Sequence, residues 1–337
     1  MASAKQCLNI ILLLVICSCS TEAAAKLAPC LPDQASSLLQ IKRSFIGANL
    51  SSWQAGTDCC HWEGVICDKA FGRVISLDLS EFHLISRRLD PALFNLTSLR
   101  NLSLAFNDFG KARLPTSGFE RLSGIIHLNF SNTNFMGQIP IGIARLKNLV
   151  TLDFSGNDFQ LYFEVPSFQT SMANMSNLRE LYLDTVDLSS SGSTWSTVLA
   201  DSVPQLQIIS LLACDISGPI HPSFSRLRSL TTINFRDNWG LTGEVPEYFS
   251  ELNSLSSLDI SGNHFEGQFP TKIFQLKSLR TLDLSDNFML SVRLTNFPDG
   301  NNLETFNLPW PNISYEKSLS DQTWRIQYYL GLPILRI

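Results

Sequence analysis

Ten segments of this chain share one spacing of apolar residues, at positions one, four and six, and half of them carry an asparagine at position nine. Successive segments begin 24 to 29 residues apart. A tandem repeat of this length predicts a solenoid, because each unit contributes one short strand and buries its apolar face only by stacking on the next unit. The segments begin at Val74, Leu99, Ile125, Leu149, Leu178, Leu206, Leu230, Leu255, Leu279 and Leu303.

The repeat overrides what the length of the chain would suggest. A globular chain of 337 residues would ordinarily divide into two domains, whereas a solenoid grows along one axis. We expect a signal peptide at residues 1–25, a cap at 26–70, about ten repeats at 71–313 and a non-repeat tail at 314–337. The formal net charge of −5, with no run of more than two Lys or Arg, argues against nucleic acid as a partner.

The first 25 residues have the features of an export signal. Lys5 precedes an apolar stretch at residues 7–19, and small residues follow up to Ala25. This stretch is shorter than the roughly 20 apolar residues that cross a bilayer. We therefore expect the chain to enter the secretory pathway.

Four of the five cysteines outside this signal precede the first repeat. Because an exported chain meets an oxidising compartment, we interpret Cys30, Cys59, Cys60 and Cys67 as disulfide-bonded. A bridge between Cys59 and Cys60 would strain the peptide that joins them, which leaves two cross-connectivities open. A zinc site that uses His61 is disfavoured because the CxxC spacing is missing, and no metal is predicted.

A short amphipathic helix is predicted after the first of these cysteines, in CLPDQASSLLQIKRSF. Asp33 is its predicted N-cap. Such a helix can cover the first turn of the solenoid, whose apolar groups and strand edge would otherwise face water. The apolar side of the helix consists of Ala35, Leu38, Leu39, Phe45 and the stem of Lys42.

Each repeat directs alternate side chains to opposite faces. In LRTLDLSDN, Leu279, Leu282 and Leu284 point inward, while Thr281 and Asp283 point outward. An asparagine at the corner that follows can bond the backbone of its own turn and of the neighbouring turn. Stacking predicts a ladder of such side chains, in which a cysteine is a buried substitute and not a reactive thiol. The ladder consists of Asn107, Asn157, Cys214, Asn238, Asn263 and Asn287.

Two connections are longer than the others. They follow the strand segments that begin at Leu149 and Leu178. Insertions in a solenoid bulge outward without breaking the stack, so we expect small helices on the convex side.

A specific resemblance comes from the stretches after the asparagines, GQIP, GPI, GEVP and GQFP, which complete the pattern LxxLxLxxNxLxGxIP. With CLPDQASSLLQIKRSF and DCCHWEGVIC, this form resembles the plant extracellular leucine-rich repeat proteins over residues 30–313. Within that superfamily, LACDISGPI and LDLSDNFML resemble the receptor-like proteins of disease resistance, particularly the Verticillium-wilt type.

The resemblance implies a fold and a function. The implied fold is an α/β solenoid, a horseshoe or superhelix with a parallel concave sheet and a disulfide-stapled helical N-terminal cap. The implied cap pairs Cys30 with Cys59 and Cys60 with Cys67. The implied function is recognition of an apoplastic ligand.

The concave sheet is where we expect that ligand. Most units present Ser, Thr, Asp or Asn there, which is a generic solvated face. The middle units mix aromatic, aliphatic and charged groups, a composition typical of recognition patches, although mixed faces without a partner also exist. We hypothesise ligand contact at Glu180, Tyr182, Asp184, Ile208, Leu212, Arg236 and Asp237.

Glycosylation is also expected. Six N-x-S/T sequons occur, and an exported chain meets the glycosyltransferase. Two of them, at Asn101 and Asn129, lie on predicted concave strands, where a glycan would cover part of the surface. The sequons are at Asn49, Asn95, Asn101, Asn129, Asn174 and Asn312.

The sequence contains no motif of a known catalytic site. Its five histidines lie in separate units without HExxH spacing, and there is no GxGxxG loop, HRD motif or GxSxG elbow. Asp78, Asp153, Asp259 and Asp283 recur at one position of the repeat, which indicates a structural pattern. We therefore predict a non-catalytic protein without a cofactor.

The predicted function is an extracellular ligand-recognition module in plant defence signalling, with a protein, a peptide or a cell-wall-derived glycan as its partner. The expected location is the apoplast, or the plasma membrane if a full-length parent carries a transmembrane helix. Because the pattern stops after Ser314, we expect a truncated receptor-like protein with an open far end, and a receptor-like kinase co-receptor only if the missing part exists. Two alternatives stay open: a secreted inhibitor of cell-wall-degrading enzymes, similar to polygalacturonase inhibitors, and a non-functional gene product.

Overall fold

The computed structural model describes residues 28–47, 49–158, 160–164, 167–294 and 302–309, together with the backbone of 313–315, 325–329 and 332–336. The predicted signal peptide and the sequon at Asn312 lie outside the described residues. In chain order the strands are β1 (Val65–Cys67), β2 (Val74–Asp78), β3 (Asn101–Ser103), β4 (His127–Asn129), β5 (Gly137–Gln138), β6 (Thr151–Asp153), β7 (Leu161–Tyr162), β8 (Glu180–Tyr182), β9 (Ile208–Ser210), β10 (Ser217–Gly218), β11 (Thr232–Asn234), β12 (Gly240–Glu244), β13 (Ser257–Asp259), β14 (His264–Gln268), β15 (Thr281–Asp283), β16 (Met289–Leu294), β17 (Thr305–Asn307), β18 (Ile313–Tyr315), β19 (Arg325–Tyr329) and β20 (Leu332–Arg336).

The main sheet contains thirteen of the described strands, in the order β1-β2-β3-β4-β6-β8-β9-β11-β13-β15-β17-β20-β19. From β2 to β17 every pairing is parallel, and each repeat adds one strand in the same register, so that Ile233 lies between Ile209 and Leu258. The predicted parallel concave sheet of a solenoid is therefore confirmed.

Smaller sheets follow the corner where each repeat leaves the main sheet. Strands β10, β12, β14, β16 and β18 form a second parallel sheet, and β5 pairs with β7. These strands continue the stacking of the repeats beyond the concave face.

The core lies between the main sheet and the helices on the opposite side. Leu279, Leu282 and Leu284 are buried, as their places in the repeat predict, whereas Thr281 and Asp283 are half-buried on the concave face. Removing the leucine side chains from water supplies the force that holds one turn on the next.

Short helices return the chain on the side opposite the main sheet. Two α-helices, α2 (Ser167–Met172) and α3 (Trp195–Ser202), occupy the two long connections, so the prediction of small helices there is confirmed. The described 3₁₀-helices are Cys59–His61, Pro91–Asn95, Phe119–Arg121, Ile141–Arg145, Ser189–Thr194, Pro222–Arg226, Glu247–Glu251 and Thr271–Gln275.

The cap contains the predicted helix, α1, at Pro32–Ser44. The prediction of Asp33 as N-cap is wrong: Leu31 is the N-cap and Asp33 lies in the first turn. Pro32 at the first helical position explains the difference, because its fixed φ and missing N–H suit that place. Asp33 still stabilises the helix, since a carboxylate near the N-terminus complements the helix dipole.

The two disulfides of the cap join Cys30 to Cys59 and Cys60 to Cys67. This pairing resolves the alternatives that spacing left open and confirms the one that the resemblance implies. The Asp58 carboxylate connects the same two segments, because its Oδ1 accepts hydrogen bonds from the backbone N–H of Cys30 and of Cys60. These backbone hydrogen bonds, which favour the ionised carboxylate, hold the pKa of Asp58 below its usual value against the opposing effect of burial.

The far end differs from the open edge that we expected after Leu303. Strand β20 pairs antiparallel with β17, and β19 pairs antiparallel with β20. The residues of the predicted non-repeat tail thus include a hairpin that extends the main sheet.

Candidate functional site

The concave face of the main sheet presents the side chains that alternate with the buried leucines. In most repeats these are short polar groups. Asp259 and Asp283 each accept two hydrogen bonds at Oδ1, from the backbone N–H and the hydroxyl of the serine two residues later. Each such carboxylate satisfies the turn that ends its strand, which is a structural task.

Burial raises the pKa of the Asp153 and Asp259 carboxyls, although hydrogen bonds from the neighbouring serines oppose the shift. These carboxylates therefore lie in partly desolvated positions along the floor of the concave face. A ligand that covered them would meet acceptors already held in place by the turns.

The seven residues of the predicted ligand patch lie on β8 and β9 and in the turns that follow β8, β9 and β11. Glu180 on β8 faces Ile208 on β9 in the register of the sheet, and Tyr182 occupies the next outward position. Beyond the strands, Asp184, Leu212 and Arg236 continue the same stacking. Six of the seven residues therefore form one surface.

Asp237 is placed differently from the other six. It lies in the turn beyond Arg236, with a left-handed φ of 57°, and its Oδ2 accepts a hydrogen bond from Arg236 Nε at 3.1 Å. Asp237 therefore orients the arginine from the rim of the patch. We name the whole set of seven residues the middle patch.

Several polar neighbours of the middle patch were not predicted from the sequence. Asp184 Oδ1 accepts hydrogen bonds from the Ser210 hydroxyl at 2.6 Å and from the Leu212 backbone N–H at 2.9 Å. Glu180 Oε2 accepts from the Thr151 hydroxyl at 3.0 Å, and that hydroxyl lies 3.0 Å from His127 Nδ1. Residues at the same position of successive repeats lie side by side in the sheet, and this rule could have identified Thr151 and His127 beside Glu180, but not Ser210, which lies two positions earlier in its repeat than Asp184 does.

The electrostatics of the middle patch are dominated by carboxylates. Burial raises the pKa of the Tyr182 hydroxyl, and the negative charges of Glu180, Asp153 and Asp184 raise it further. Burial lowers the pKa of the Arg236 guanidinium, but nearby carboxylates raise it by more, and the largest of these contributions comes from Asp237. The surface thus combines a half-buried phenol, two aliphatic side chains and one exposed arginine in an acidic surround.

The polar ladder runs directly beneath this surface. Asn238 Nδ2 donates to the carbonyls of Leu211 and Phe235, and its Oδ1 accepts from the backbone N–H of Cys214 and Ile216. Asn107, Asn157, Asn263 and Asn287 make equivalent contacts between neighbouring turns. The ladder fixes the spacing of the turns that carry the middle patch.

Cys214 takes the place of an asparagine in this ladder. Its thiol donates to the carbonyl of Leu183, and its side chain is fully buried. Burial raises the pKa of the thiol well above its usual value, and the thiol form is unreactive.

We expect Cys214 to resist a water-soluble maleimide in the native protein and to react at once in denaturant. The measurement is mass spectrometry after a short labelling pulse, with the denatured protein as the positive control. Complete labelling under native conditions would show that the thiol is accessible and that the ladder is open at this unit.

The sequon asparagines differ in exposure. Asn49, Asn95, Asn101 and Asn174 are exposed, whereas Asn129 is half-buried. Asn129 Oδ1 accepts hydrogen bonds from the backbone N–H and hydroxyl of Ser131, the third residue of its own sequon. A glycan on Asn129 would stand on the concave face two strands from β8, and one on Asn101 would stand three strands from it.

Within the described residues, the one group of side chains with the proximity of metal ligands consists of the four cap cysteines, and these are consumed in disulfides. None of the described helices is both long enough and apolar enough to cross a membrane.

Comparison with known families gives two matches. The model of the leucine-rich repeat N-terminal domain matches residues 31–68, and the Leucine Rich Repeat model matches residues 254–276. The first range covers α1 and three of the four cap cysteines, and the second lies within the regular repeats.

Relatives of this chain are plant receptor-like proteins. It is 33% identical to Receptor-like protein 6 of Arabidopsis thaliana over 286 residues, 76% of this chain and 28% of that protein. It is 29% identical to Receptor-like protein Cf-9 of Solanum pimpinellifolium over 250 residues, 68% of this chain and 28% of that protein. The chain therefore spans 28% of the length of these two relatives.

Among solved structures, the chain is similar to the Arabidopsis receptor kinase HAESA in complex with the peptide hormone IDA and the co-receptor SERK1. The TM-score is 0.66 and the identity 29%, with 82% of this chain and 49% of that chain covered.

Proposed function

We propose that this chain, a leucine-rich repeat protein whose relatives are plant receptor-like proteins, is an extracellular ligand-recognition module that works without catalysis. Its ligand is a peptide or a protein segment, and it binds on the concave face at the middle patch. The observation that carries the proposal is the change of surface chemistry on β8 and β9 and in the turns that follow β8, β9 and β11, on a face that otherwise presents mainly short polar groups.

The physical character of the middle patch supports recognition. Tyr182 supplies a large side chain with few rotatable bonds, and apolar area comes from Ile208 on the neighbouring strand and Leu212 in the turn after it. Arg236 supplies a cation whose direction is set by Asp237. Aromatic and arginine side chains carry much of the binding energy of protein interfaces, because they combine contact area with directed polar groups.

A role in defence signalling is part of the proposal. It rests on the resemblance to disease-resistance receptor-like proteins and on the relationship to Cf-9. The predicted export signal supports a location in the apoplast. The complex of HAESA with a peptide hormone and a co-receptor makes a kinase co-receptor the partner that we propose for a membrane-anchored form.

We expect the double substitution Tyr182→Ala with Arg236→Ala to weaken binding of concave-face ligands by about 100-fold, since hot-spot truncations cost about 2 kcal/mol or more. The ligands are peptides selected from a displayed library on the unaltered protein, and affinity is measured by surface plasmon resonance. The matched control is Arg226→Ala, which removes an arginine that pairs with Asp201 on the opposite side of the solenoid.

Selected peptides that bind the double variant as well as they bind the Arg226→Ala control would contradict the proposal. The single variant Tyr182→Phe separates the contribution of the tyrosine hydroxyl to binding from that of the ring. It keeps the ring and removes the hydroxyl, so we expect it to retain most of the affinity if apolar contact dominates.

A further inference from the structure

We propose that the edge of the main sheet where its strands begin carries a second docking groove, which takes an extended acidic segment of another protein. The groove has a volume of about 420 Å³ and lies beside the concave face, along the starts of β3, β4, β6 and β8. None of its lining residues belongs to the middle patch, which it adjoins where Arg179 precedes Glu180.

Two arginines mark the ends of this groove. Arg100 directly precedes β3, Arg179 directly precedes β8, and both side chains are exposed. Among the described residues, neither guanidinium has an ion-pair or hydrogen-bond partner. A guanidinium is a fork of N–H donors that matches a carboxylate, so each arginine is a free site for an acidic side chain.

A third arginine at the same position of the repeat is paired with a carboxylate of this chain. Arg280 precedes β15, and its Nη1 lies 2.6 Å from Glu304 Oε1 in the next repeat. The residues that follow Arg100 and Arg179 at this position in the next repeats are Ile126 and Gln207, which carry no charge. The repeat therefore neutralises one arginine internally and presents the other two to a partner.

The floor between the two arginines is apolar. Ile126 and Val150 occupy the intervening repeats and are half-buried. Three strand intervals separate Arg100 from Arg179, which corresponds to about 14 Å. In an extended peptide, residues i, i+2 and i+4 face the same way and the outer two are about 13 Å apart. Acidic residues at i and i+4 with an apolar residue at i+2 therefore match the groove.

Amide groups along the rim suit a peptide backbone. Asn148 Nδ2 donates to the carbonyl of Ser123 at 2.9 Å, and Asn177 Nδ2 donates to the carbonyl of Lys147 at 3.1 Å. These bonds fix both amides and leave their oxygens able to accept from backbone N–H groups.

The charge around the groove favours an acidic partner. Among the described residues that line it there is no Asp or Glu, and the carboxylate of Glu180, the residue after Arg179, accepts a hydrogen bond from the Thr151 hydroxyl. The spacing of the two arginines and of the apolar residues between them matches the side-chain spacing of an extended peptide. This match favours a peptide over an anionic polysaccharide.

The test uses the heptapeptide Ac-SETLTES-NH2 as probe and the secreted protein after removal of its glycans, because the sequon at Asn101 adjoins Arg100. We expect saturable binding by isothermal titration calorimetry at an ionic strength of about 0.01 M, weakened at about 0.15 M. The double variant Arg100→Glu with Arg179→Glu should lose about tenfold or more in affinity.

The matched control is Arg280→Glu, which reverses a charge at the same repeat position and should leave the affinity unchanged. The Tyr182→Ala with Arg236→Ala variant should also bind the heptapeptide normally, which separates this groove from the middle patch. The neutral probe Ac-SQTLTQS-NH2 should bind at least about tenfold more weakly. Equal affinity of the double variant and the control would overturn the proposal, as would binding of an oligogalacturonide without binding of the heptapeptide.

Discussion

Substitution of Asn238 by alanine is expected to lower the free energy of unfolding by about 3 kcal/mol or more. The side chain is fully buried, and four of its hydrogen bonds reach backbone groups in two successive repeats. Truncation leaves those backbone groups without a partner and without water, and each such group costs about 1–3 kcal/mol. The backbone N–H of Asn238 donates to Asn263 Oδ1, and alanine keeps this bond, so the expected loss comes from the side chain alone.

The measurement is urea denaturation followed by circular dichroism. The matched control is Asn253→Ala, an exposed asparagine between repeats, for which we expect a change within about 0.5 kcal/mol. Because repeats stabilise their neighbours, the Asn238→Ala transition should also broaden as the two halves of the solenoid unfold separately. A variant as stable as the control would show that the ladder does not hold the turns together.

Removal of the Cys30–Cys59 disulfide, by Cys30→Ser with Cys59→Ser, is expected to cost about 3–4 kcal/mol. The sequence separation is 29, and closing a loop of that length in the unfolded chain carries this entropy. The Cys60–Cys67 bridge spans a separation of only 7, so its removal should cost about 2 kcal/mol. The shorter bridge is thus a matched control within the same cap.

Both values come from chemical denaturation of the paired serine variants, and hydrogen exchange shows where the loss acts. Loss of the longer bridge should expose the backbone of α1 and of β1 first, because the cap covers the first turn of the solenoid. The reverse order of the two destabilisations would mean that native-state contacts, rather than chain entropy, decide the contribution of each bridge.

Much of the fold follows from the sequence because one physical rule repeats. Leucines at these fixed positions can be buried only when the strands stack into a parallel sheet. The turn that follows each strand is buried as well, and an asparagine side chain there can hydrogen-bond its backbone N–H and C=O groups. The same rule places Cys214 in the ladder, since its neighbours in other units are buried asparagines. The disulfide pairing did not follow from spacing, because both cross-connectivities fit it, and the resemblance was needed to predict it.

The details that were missed depend on neighbours in space. The residue type of Asp33 predicts an N-cap there, but Pro32 sets where the helix begins. Thr151 and Ser210 are generic polar residues in the sequence, and they become partners of the middle patch only when their strands pair with β8. The free charge of Arg100 and Arg179 likewise depends on which residue the next repeat places beside each.

The most direct measurement of the central claim, that the middle patch contacts the ligand, is site-specific photocrosslinking in apoplastic fluid. Benzoylphenylalanine replaces Tyr182 in one protein and Arg226, on the opposite side of the solenoid, in the other. We predict crosslinked peptide or protein adducts from position 182 that an excess of unlabelled protein suppresses, and none of these adducts from position 226. Adducts of equal yield from both positions, or from position 226 alone, would contradict recognition by the concave face.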